Sequence, residues 1–287
     1  MSGRVAILTP DAQSEGYRTR WRDVLETNAA PLRAAGLTVE GRDWATAGDL
    51  RDFDLVLPLL VWGYPFAPDQ WSAAIARWEG EGVRLRNPAS VLRWNVDKAY
   101  LQAVAARGAP VVPTLFFDRL GSAELEQAAA ALGTGELVAK PRISSTAWRT
   151  VRWSPGVALE GGPEGAAMVQ PYLPEIERSG EVSMIFLGGR FSHAVSKRPQ
   201  PGDFRVQPEF DGIIAPHVPS AEEAAAAVRI LAAVEEPLLY ARVDLVRGLG
   251  GEPRLIELEL IEPDLYLGYD DGAAGRFAAV VQEQIAR

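Results

Sequence analysis

The stretch ARVDLVRGLGGEPRLIELELIEP (241–263) decides how this chain folds. Two alternating runs flank the glycine-rich GLGGEP (248–253), a pattern that predicts a β-hairpin. Glu257 and Glu259 lie two residues apart, so on a strand both project from the same face. The opposite face is predicted to carry the apolar residues of the same run, namely Ile256, Leu258 and Leu260. The second strand is therefore expected to have one acidic face and one apolar face.

The register of this hairpin predicts where a third acid lies. If Arg247 pairs with Arg254 across the loop, Asp244 falls directly opposite Glu257. Asp244, Glu257 and Glu259 would then converge on one patch of one sheet face. Like charges that face each other on a sheet repel, so this arrangement is costly unless something neutralises it.

Two interpretations of the acidic patch stay open from the hairpin alone. A hard divalent cation such as Mg²⁺ or Mn²⁺ prefers carboxylate oxygens, and Mg²⁺ commonly combines one or two carboxylates with substrate phosphates. The patch is equally compatible with solvated acids on an exposed sheet face, assisted by Arg242 or Arg254.

The rest of the chain divides into three zones, an N-terminal α/β domain (1–112) and two further lobes (113–172 and 173–287). The first zone alternates strand-like and helical patterns, which predicts a parallel sheet covered by helices. Its expected strands are 5–10, 37–42, 54–60 and 84–87. After them, Asn87-Pro88 is expected to start a helix that runs to Gly108, with Asn87 as its N-cap. The second and third zones have α+β patterns in which strand-like runs follow one another closely, which predicts antiparallel sheets. The strongest such pattern is VSMIFLGGRFSHAVSK (182–197), where two glycines separate two alternating runs and predict a β-hairpin.

Several further residues could serve a binding site. Lys140 ends the strand LVAKP and precedes the polar loop RISSTAWRT (142–150), so its ammonium could reach a phosphate. The Pro-bracketed MVQPYLPEI (168–176) offers extended backbone that could read an adenine edge. Lys98 and Arg205 are basic residues in a helical stretch and after a turn. Each of these has an ordinary structural explanation when it is taken alone, as a surface or linker residue.

Composition excludes several classes of protein. The 287 residues carry a formal net charge of −9, with a pI of about 5.0 and no long basic run, which argues against a nucleic-acid partner. There is no cysteine, and His193 and His217 are the only imidazoles, so disulfides, thiol nucleophiles and histidine-rich metal sites are excluded. No secretory leader and no apolar run of about 20 residues is present, which favours a cytoplasmic protein without a membrane partner.

The order of these motifs resembles the ATP-grasp superfamily, and most closely its glutathione synthetase and ribosomal-S6-modification branch. The resemblance spans roughly residues 85–265 and rests on NVDK, VAKP, QPYLPEI, GEVS, GDFRVQ, VDLV and ELELIEP in sequence order. It implies a preceding α/β domain and two lobes with antiparallel sheets that hold ATP between them. It also implies phosphoryl transfer from ATP to a carboxylate, giving an acyl phosphate that an amine or similar nucleophile attacks.

The resemblance implies a role for each matching position. Lys98 and Lys140 correspond to the two nucleotide lysines, and Ser144 and Ser145 lie in the phosphate-covering loop. The adenine hinge corresponds to Gln170, Tyr172 and Leu173, and the ribose acid to Glu181. The magnesium ligands correspond to Asp244, Glu257 and Glu259, although the third is more usually Asn. Arg205 matches an arginine that steadies the transferring phosphate, and Lys197 a further phosphate-contacting residue.

Two departures from the family pattern bear on the chemistry. The loop ISSTAWRT lacks the glycines that many relatives have, and Ser183 stands where several relatives carry a catalytic arginine.

Some of the same stretches are similar to a small bacterial group that includes the cyclo-ligase of D-cycloserine biosynthesis: WNVDKAYL, QPYLPEIERSGEVS, FSHAVSKRPQPGDFRVQ and LELIEPDLYL. That likeness implies ring closure on an activated carboxylate, with Trp62, Tyr64, Trp148 and Glu262 as pocket candidates. The carboxylate, a small molecule or a peptide, stays open, as do dimeric and tetrameric assembly. Two other classes also stay open: a non-catalytic ATP-binding or regulatory module, and an unrelated metal-dependent α/β enzyme.

Overall fold

A computed structural model describes residues 3–11, 20–200 and 212–287. The described strands are β1 (Arg4–Thr9), β2 (Thr38–Asp43), β3 (Leu55–Leu57), β4 (Leu115–Phe117), β5 (Leu137–Pro141), β6 (Val151–Trp153), β7 (Ala167–Pro171), β8 (Glu181–Leu187), β9 (Arg190–Arg198), β10 (Ile213–His217), β11 (Tyr240–Arg247) and β12 (Pro253–Glu259). The described α-helices are α1 (Arg20–Ala34), α2 (Pro68–Gly80), α3 (Ala89–Asn95), α4 (Tyr100–Ala106), α5 (Ser122–Leu132), α6 (Glu175–Ser179), α7 (Ala221–Ala232) and α8 (Ala273–Ile285). Short 3₁₀ turns span Tyr64–Phe66 and Leu267–Tyr269. None of the helices in this part of the chain has the length and apolarity needed to cross a bilayer.

The first sheet is parallel, as the alternating pattern predicts, with the strand order β2-β1-β3. Val5 and Ile7 of β1 belong to one core cluster, and Ala6 and Leu8 belong to another. Because neighbouring residues on a strand face opposite sides, this sheet is buried on both faces. The fourth predicted strand, 84–87, is wrong as a strand, because only Leu85 forms an isolated bridge, to Val56.

Two antiparallel sheets follow, as predicted. One has the order β4-β7-β5-β6, and the other has the order β10-β9-β8-β11-β12. Gly188 and Gly189 join β8 to β9 with φ of 58° and 75°, left-handed values that a two-residue hairpin turn of type I′ requires at both positions. The predicted domain limits at 112 and 172 stay a prediction.

The β11–β12 hairpin places Asp244 opposite Glu257, as predicted, but not through the assumed register. Arg247 pairs with Pro253 rather than with Arg254, and the register shifts between Asp244 and Leu245. The shift leaves one extra residue in β12, which is a β-bulge.

The bulge also changes which side chains share the apolar face. Leu255 pairs with Leu245 and is buried with Leu258 and Leu260 in the core cluster. The apolar face was predicted to carry Ile256, and Leu255 takes its place there. Ile256 is the extra residue, and its side chain lies at the edge of the cleft described below.

The predicted helix from Asn87 to Gly108 is in fact two helices, α3 and α4, separated by a turn at 96–99. Side chains beside this turn hold the edge of β12. Asn95 donates to the carbonyl of Leu258 (2.9 Å) and accepts from the amide of Leu260 (2.9 Å), while the Tyr100 hydroxyl accepts from the amide of Leu258 (2.8 Å). These bonds satisfy backbone groups that an edge strand would otherwise leave unpaired. They also fix Lys98, which lies in the turn, beside the acidic hairpin.

Asn87 is not the cap of α3, because Pro88 occupies that position and Asn87 is fully buried. Its amide donates to the carbonyls of Tyr240 (2.9 Å) and Leu260 (2.8 Å), and its oxygen accepts from the amide of Leu239 (2.8 Å). The side chain therefore replaces three backbone partners and joins the parallel α/β region to both strands of the β11–β12 hairpin at its open end.

We predict that Asn87→Ala lowers the free energy of unfolding by about 3 kcal/mol, because it leaves three buried backbone groups without partners. Urea unfolding followed by circular dichroism measures this loss. Asn28→Ala is the matched control, since Asn28 is also buried but makes one bond, to the carbonyl of Val24. Equal losses in the two variants would contradict the bridging role of Asn87.

Candidate active site

A cleft of about 470 Å³ lies where the two antiparallel sheets and the N-terminal α/β region meet. All but one of the site residues predicted from the sequence line this cleft: Lys98, Lys140, Ser144, Ser145, Gln170, Tyr172, Leu173, Glu181, Lys197, Asp244, Glu257 and Glu259. The exception is Arg205, which lies outside the described residues. Residues from nearly every part of the chain thus meet in one place.

Three of these residues, Asp244, Glu257 and Glu259, form an acidic triad. One carboxylate oxygen of each lies within 4.8 Å of the others. Opposite ligands of one magnesium ion are roughly 4.2 Å apart, so small side-chain rotations bring all three oxygens into coordination range. The donor set, carboxylate oxygens only, is the kind that Mg²⁺ prefers, and the residues present therefore fit this ion.

Arg242 is the functional candidate that the sequence analysis missed as a site residue. It is buried, and its guanidinium donates to both oxygens of Asp244 (2.9–3.1 Å) and to Glu259. Arg242 stands two residues before Asp244 on β11, so the two side chains share a face, a signal present in the sequence. Arg254, the other arginine considered beside the acids, instead binds Glu252 (2.5 Å) and the carbonyl of Val111 (3.2 Å).

Lys98 joins the triad to the polar loop. Its ammonium lies 3.2 Å from Glu257 and donates to the carbonyl of Ser144 (2.7 Å). Lys140 lines the same part of the cleft, where burial lowers the pKa of its ammonium and Glu257 acts in the opposite direction. Two cations are thus held close to one carboxylate.

Lys197 and Glu181 face each other on β9 and β8 and form a buried ion pair. The same ammonium lies 3.7 Å from Asp244. Although burial opposes its charged form, Asp244 and Glu181 raise the pKa of Lys197 well above its ordinary value. Lys197 is therefore a fixed positive charge on the floor of the cleft.

Ser183, at the position where the family resemblance implies an arginine in several relatives, is fully buried opposite Asp244, and its hydroxyl donates to that carboxylate (2.5 Å). The guanidinium that donates to Asp244 is that of Arg242, which lies two residues earlier on the same strand, β11.

The acids of the triad differ in their tendency to ionise. Burial raises the pKa of Glu259 to about 8, aided by the negative charges of Glu257 and Asp244 and opposed by Arg242. For Asp244, burial is outweighed by Arg242 and Lys197, which hold its pKa below the ordinary value. In the absence of a metal ion, Glu259 is therefore the acid of the triad that keeps a proton near neutral pH.

The polar loop 142–150 has an unusual backbone for a segment without glycine. Thr146, Ala147 and Arg149 have φ of 49°, 54° and 54°, each a left-handed conformation that costs non-glycine residues about 1 kcal/mol or more. Arg149 anchors the loop by donating to the carbonyl of Gly162 (2.9 Å). Such strain persists where the surrounding structure imposes it, which is typical of ligand-binding loops.

The strand end at 170–173 offers backbone groups to the cleft. Tyr172 donates its amide to the carbonyl of Glu136 (2.8 Å), so that amide is already engaged. Among the described residues, the amide of Leu173 has no such partner. The buried side chain of Gln170 donates to the hydroxyl of Thr114 (3.0 Å), which fixes the end of the strand.

The pocket candidates separate into two groups. Trp62, Tyr64 and Glu262 line the cleft, at the end nearest the N-terminal region. Trp148 is outside the lining and packs edge-to-face against Phe66, with ring centroids 5.4 Å apart. This contact joins the polar loop to the N-terminal region.

Comparisons with known proteins agree with this architecture. Residues 5–87 match the family described as D-cycloserine synthetase DcsG, N-terminal domain. The chain is 30% identical over 273 residues to the cycloserine biosynthesis protein DcsG of Streptomyces lavendulae, covering 88% of this chain and 91% of that protein. The crystal structure of D-cycloserine synthetase DcsG superposes with a TM-score of 0.83 at 28% identity, over 99% of this chain and 100% of the other.

More distant structures share the fold. The ATP-grasp ligase PsnB, solved with a phosphomimetic variant of its minimal precursor, Mg and ADP, has a TM-score of 0.67 at 17% identity, with 99% of each chain covered. D-alanine–D-alanine ligase from Bacillus anthracis has a TM-score of 0.68 at 15% identity, over 99% of this chain and 96% of the other.

The chain therefore belongs to the family of the cycloserine biosynthesis protein DcsG, and it has the fold of the ATP-grasp ligases. It is an enzyme that uses ATP to join a carboxylate to an amine. The resemblance to ATP-grasp ligases and to the cycloserine group is confirmed, while the likeness to the glutathione synthetase branch stays a prediction. The two alternatives, a non-catalytic module and an unrelated α/β enzyme, are set aside.

We predict that Arg242→Met lowers the free energy of unfolding by on the order of 3 kcal/mol in metal-free buffer, because it leaves Asp244 and Glu259 without their shared cation. Chemical unfolding of the purified variant measures the change. Arg33→Met is the control, since Arg33 pairs with Glu26 on an exposed helix face and its loss is expected to cost less than about 1 kcal/mol. An Arg242 variant as stable as the control would show that the guanidinium does not hold the acids together.

Proposed function

We propose that the acidic triad of Asp244, Glu257 and Glu259 binds Mg²⁺ together with the phosphates of ATP, and that the enzyme activates its substrate as an acyl phosphate. The convergence of the three carboxylates within 4.8 Å is the observation that carries this proposal. Bound there, Mg²⁺ would neutralise phosphate charge and act as a Lewis acid on the phosphoryl oxygens.

The residues of this chain would do the positioning. Lys98 and Lys140 would hold phosphate oxygens from one side, with Ser144 and Ser145 presenting the loop over them. Leu173 would donate its amide to the adenine edge, beside Gln170 and Tyr172. The two lysines and the loop thus fix the γ-phosphate toward the triad, which is the main work of a protein in phosphoryl transfer.

The basic groups on the floor of the cleft would neutralise the negative charge of the phosphates and the acyl phosphate. Arg242, which pairs with Asp244 and Glu259, would turn its guanidinium to the acyl phosphate when those acids hold the metal ion. Lys197 would supply a second fixed charge, with Glu181 on its other side within reach of a ribose. Arg205 stays the predicted partner of the transferring phosphate.

The reaction then has two balanced steps. A carboxylate oxygen of the substrate attacks the γ-phosphorus, the bond to the β-γ bridging oxygen breaks, and ADP leaves. An amine lone pair next attacks the acyl carbonyl, inorganic phosphate leaves with the carbonyl–oxygen bond, and the nitrogen loses a proton.

We further propose that the nucleophile belongs to the same molecule, so that the product is a ring. The relatives with the highest overall similarity reported above are named for making cycloserine, which is a cyclic product. The cleft is of small-molecule size, which suits a compact substrate that carries both its carboxylate and its nucleophile.

Turnover with the ring-opened acid of cycloserine, β-aminooxyalanine, tests this proposal. With ATP and Mg²⁺ we expect one ADP and one phosphate per cyclic product, whose mass is that of the acid less one water. Hydroxylamine added to the reaction should trap part of the acyl phosphate as a hydroxamate. ADP release that depends on a separate amine, with no cyclic product, would contradict ring closure. The absence of any trapped hydroxamate or other acid-dependent ATP use would contradict the activation step.

The same assay tests the triad. We predict that Glu257→Gln, which removes one charged ligand, abolishes measurable turnover, a loss of at least about a hundredfold, with the circular dichroism spectrum unchanged. Glu252→Gln on the same hairpin is the matched control, because Glu252 is half-exposed and pairs with Arg254 outside the cleft. Near-normal activity of the Glu257 variant would refute the assignment.

We predict that Mg²⁺ binding in the presence of ADP strengthens as the pH rises toward 8. Glu259, with its pKa near 8, must release its proton before it can bind the ion, so below that value affinity should rise by up to about tenfold per pH unit, and above it should level off. Isothermal titration calorimetry between pH 6 and 9 measures the slope. In Glu259→Asn, which has the residue more usual in the family, the slope from this group should vanish. An unchanged slope in that variant would assign the proton to another group.

A further inference from the structure

The end of the cleft beyond the acidic triad is available to the substrate. Its walls are Trp62, Gly63 and Tyr64 from the N-terminal region and the loop 262–266 that follows β12. The proposed nucleotide contacts lie at the other end, on the polar loop and the strand end at 170–173. A group bound here would therefore belong to the acid that is activated, not to ATP.

Glu262 is the one carboxyl of this end with an unsatisfied buried atom. Its Oε2 is shielded from solvent and has no hydrogen-bond partner within the described part of the chain. A buried polar atom without a partner costs about 1–3 kcal/mol, and more when it is charged, so such atoms call for an explanation. The acids of the triad differ in this respect, since Lys98 and Arg242 already pair with them.

The surroundings of Glu262 favour a cationic hydrogen-bond donor. The cations on the floor of the cleft are engaged elsewhere, Arg242 by the triad and Lys197 by Glu181. Asp264 adds a second carboxyl to the same loop, and the rings of Trp62 and Tyr64 offer faces that attract ammonium groups. An anionic group here would add negative charge beside Asp264 and the acidic triad, and an apolar group would leave Oε2 unsatisfied.

The position of Tyr64 links this end to the triad. Burial raises the pKa of its phenol, and the negative charges of Glu262, Glu259 and Glu257 add to the effect in that order. The ring is therefore within electrostatic reach of both Glu262 and two of the proposed metal ligands. A small molecule could touch Glu262 at one end while its carboxylate lies at the triad.

We infer that Glu262 binds the amino group of an amino-acid substrate whose carboxylate is activated at the triad. The inference rests on the proposed function, because it takes the triad as the place of the reacting carboxylate. It adds the residue that selects for the amino group of that substrate. Burial also keeps the carboxyl of Glu262 protonated in the empty cleft, and an ammonium ligand would favour its ionised form.

Binding measurements test this without requiring turnover. The probes are two matched pairs, β-aminooxyalanine against 3-aminooxypropionate and serine against 3-hydroxypropionate, with both enantiomers of each amino acid, titrated in the presence of Mg²⁺ and ADP. In the wild-type enzyme we expect at least one amino acid to bind ten or more times more tightly than its partner without the amino group. In Glu262→Gln this preference should fall below about threefold, while the affinity for the partner stays unchanged.

Glu283→Gln is the control, since Glu283 is exposed on α8 and pairs with Arg190, and it should keep the wild-type preference. Unchanged ADP affinity shows that a variant is folded. If Glu262→Gln does not bind ADP, Glu262→Asp replaces it, and the shorter carboxylate should reduce the preference for the amino acid selectively. A wild-type enzyme without any preference, or a preference that survives in the Glu262 variant, overturns the inference. Failure of ring closure alone would leave these binding results as they are.

Discussion

Three carboxylates on one face of a buried hairpin repel one another, and the rest of this structure is arranged around that constraint. In the absence of a metal ion the cost is met by cations drawn from separate elements: Arg242 from the same hairpin, Lys98 from the turn between two helices, and Lys197 from the neighbouring hairpin. All three cations line the cleft together with the acids that they pair with. Under the proposed function, Mg²⁺ and the phosphates of ATP would replace these pairings.

The scaffold outside the triad serves to keep the hairpin in place. Asn87, Asn95 and Tyr100 bind backbone groups around β12 that the sheet itself leaves unpaired. The bulge at Ile256 turns one apolar side chain from the core toward the cleft while keeping Glu257 opposite Asp244. A small irregularity in the backbone therefore separates the packing side of the strand from its chemical side.

Much of the site could be predicted from the sequence, because strand periodicity is a local property. The spacing of Glu257 and Glu259 gave their common face, and the hairpin pattern gave Asp244 as the opposite residue. The bulge could not be predicted, since it depends on packing of Leu255 against the core. The assumed pairing of Arg247 with Arg254 was wrong by one residue. Because the bulge shifts the register by one residue between Leu245 and Asp244, the predicted pairing of Asp244 with Glu257 is nevertheless correct. Arg242 could have been predicted in the same way, because it lies two residues before Asp244 on the same strand and therefore shares its face.

Other features depend on contacts between distant parts of the chain. The side chain of Asn87 looks like a helix cap locally, and only the folded chain shows its bonds to residues 239, 240 and 260. The break that frees Lys98 from a helix is likewise set by the docking of Asn95 and Tyr100 on β12. The unsatisfied oxygen of Glu262 is visible only once its surroundings are known.

A crystal structure with Mg²⁺ and a non-hydrolysable ATP analogue tests the central claim most directly. The account predicts an ion about 2.1 Å from oxygens of Asp244, Glu257 and Glu259 and from the phosphates, with Arg242 released from Asp244. An ion bound elsewhere, with Arg242 and Lys98 still paired to the three acids, would contradict it.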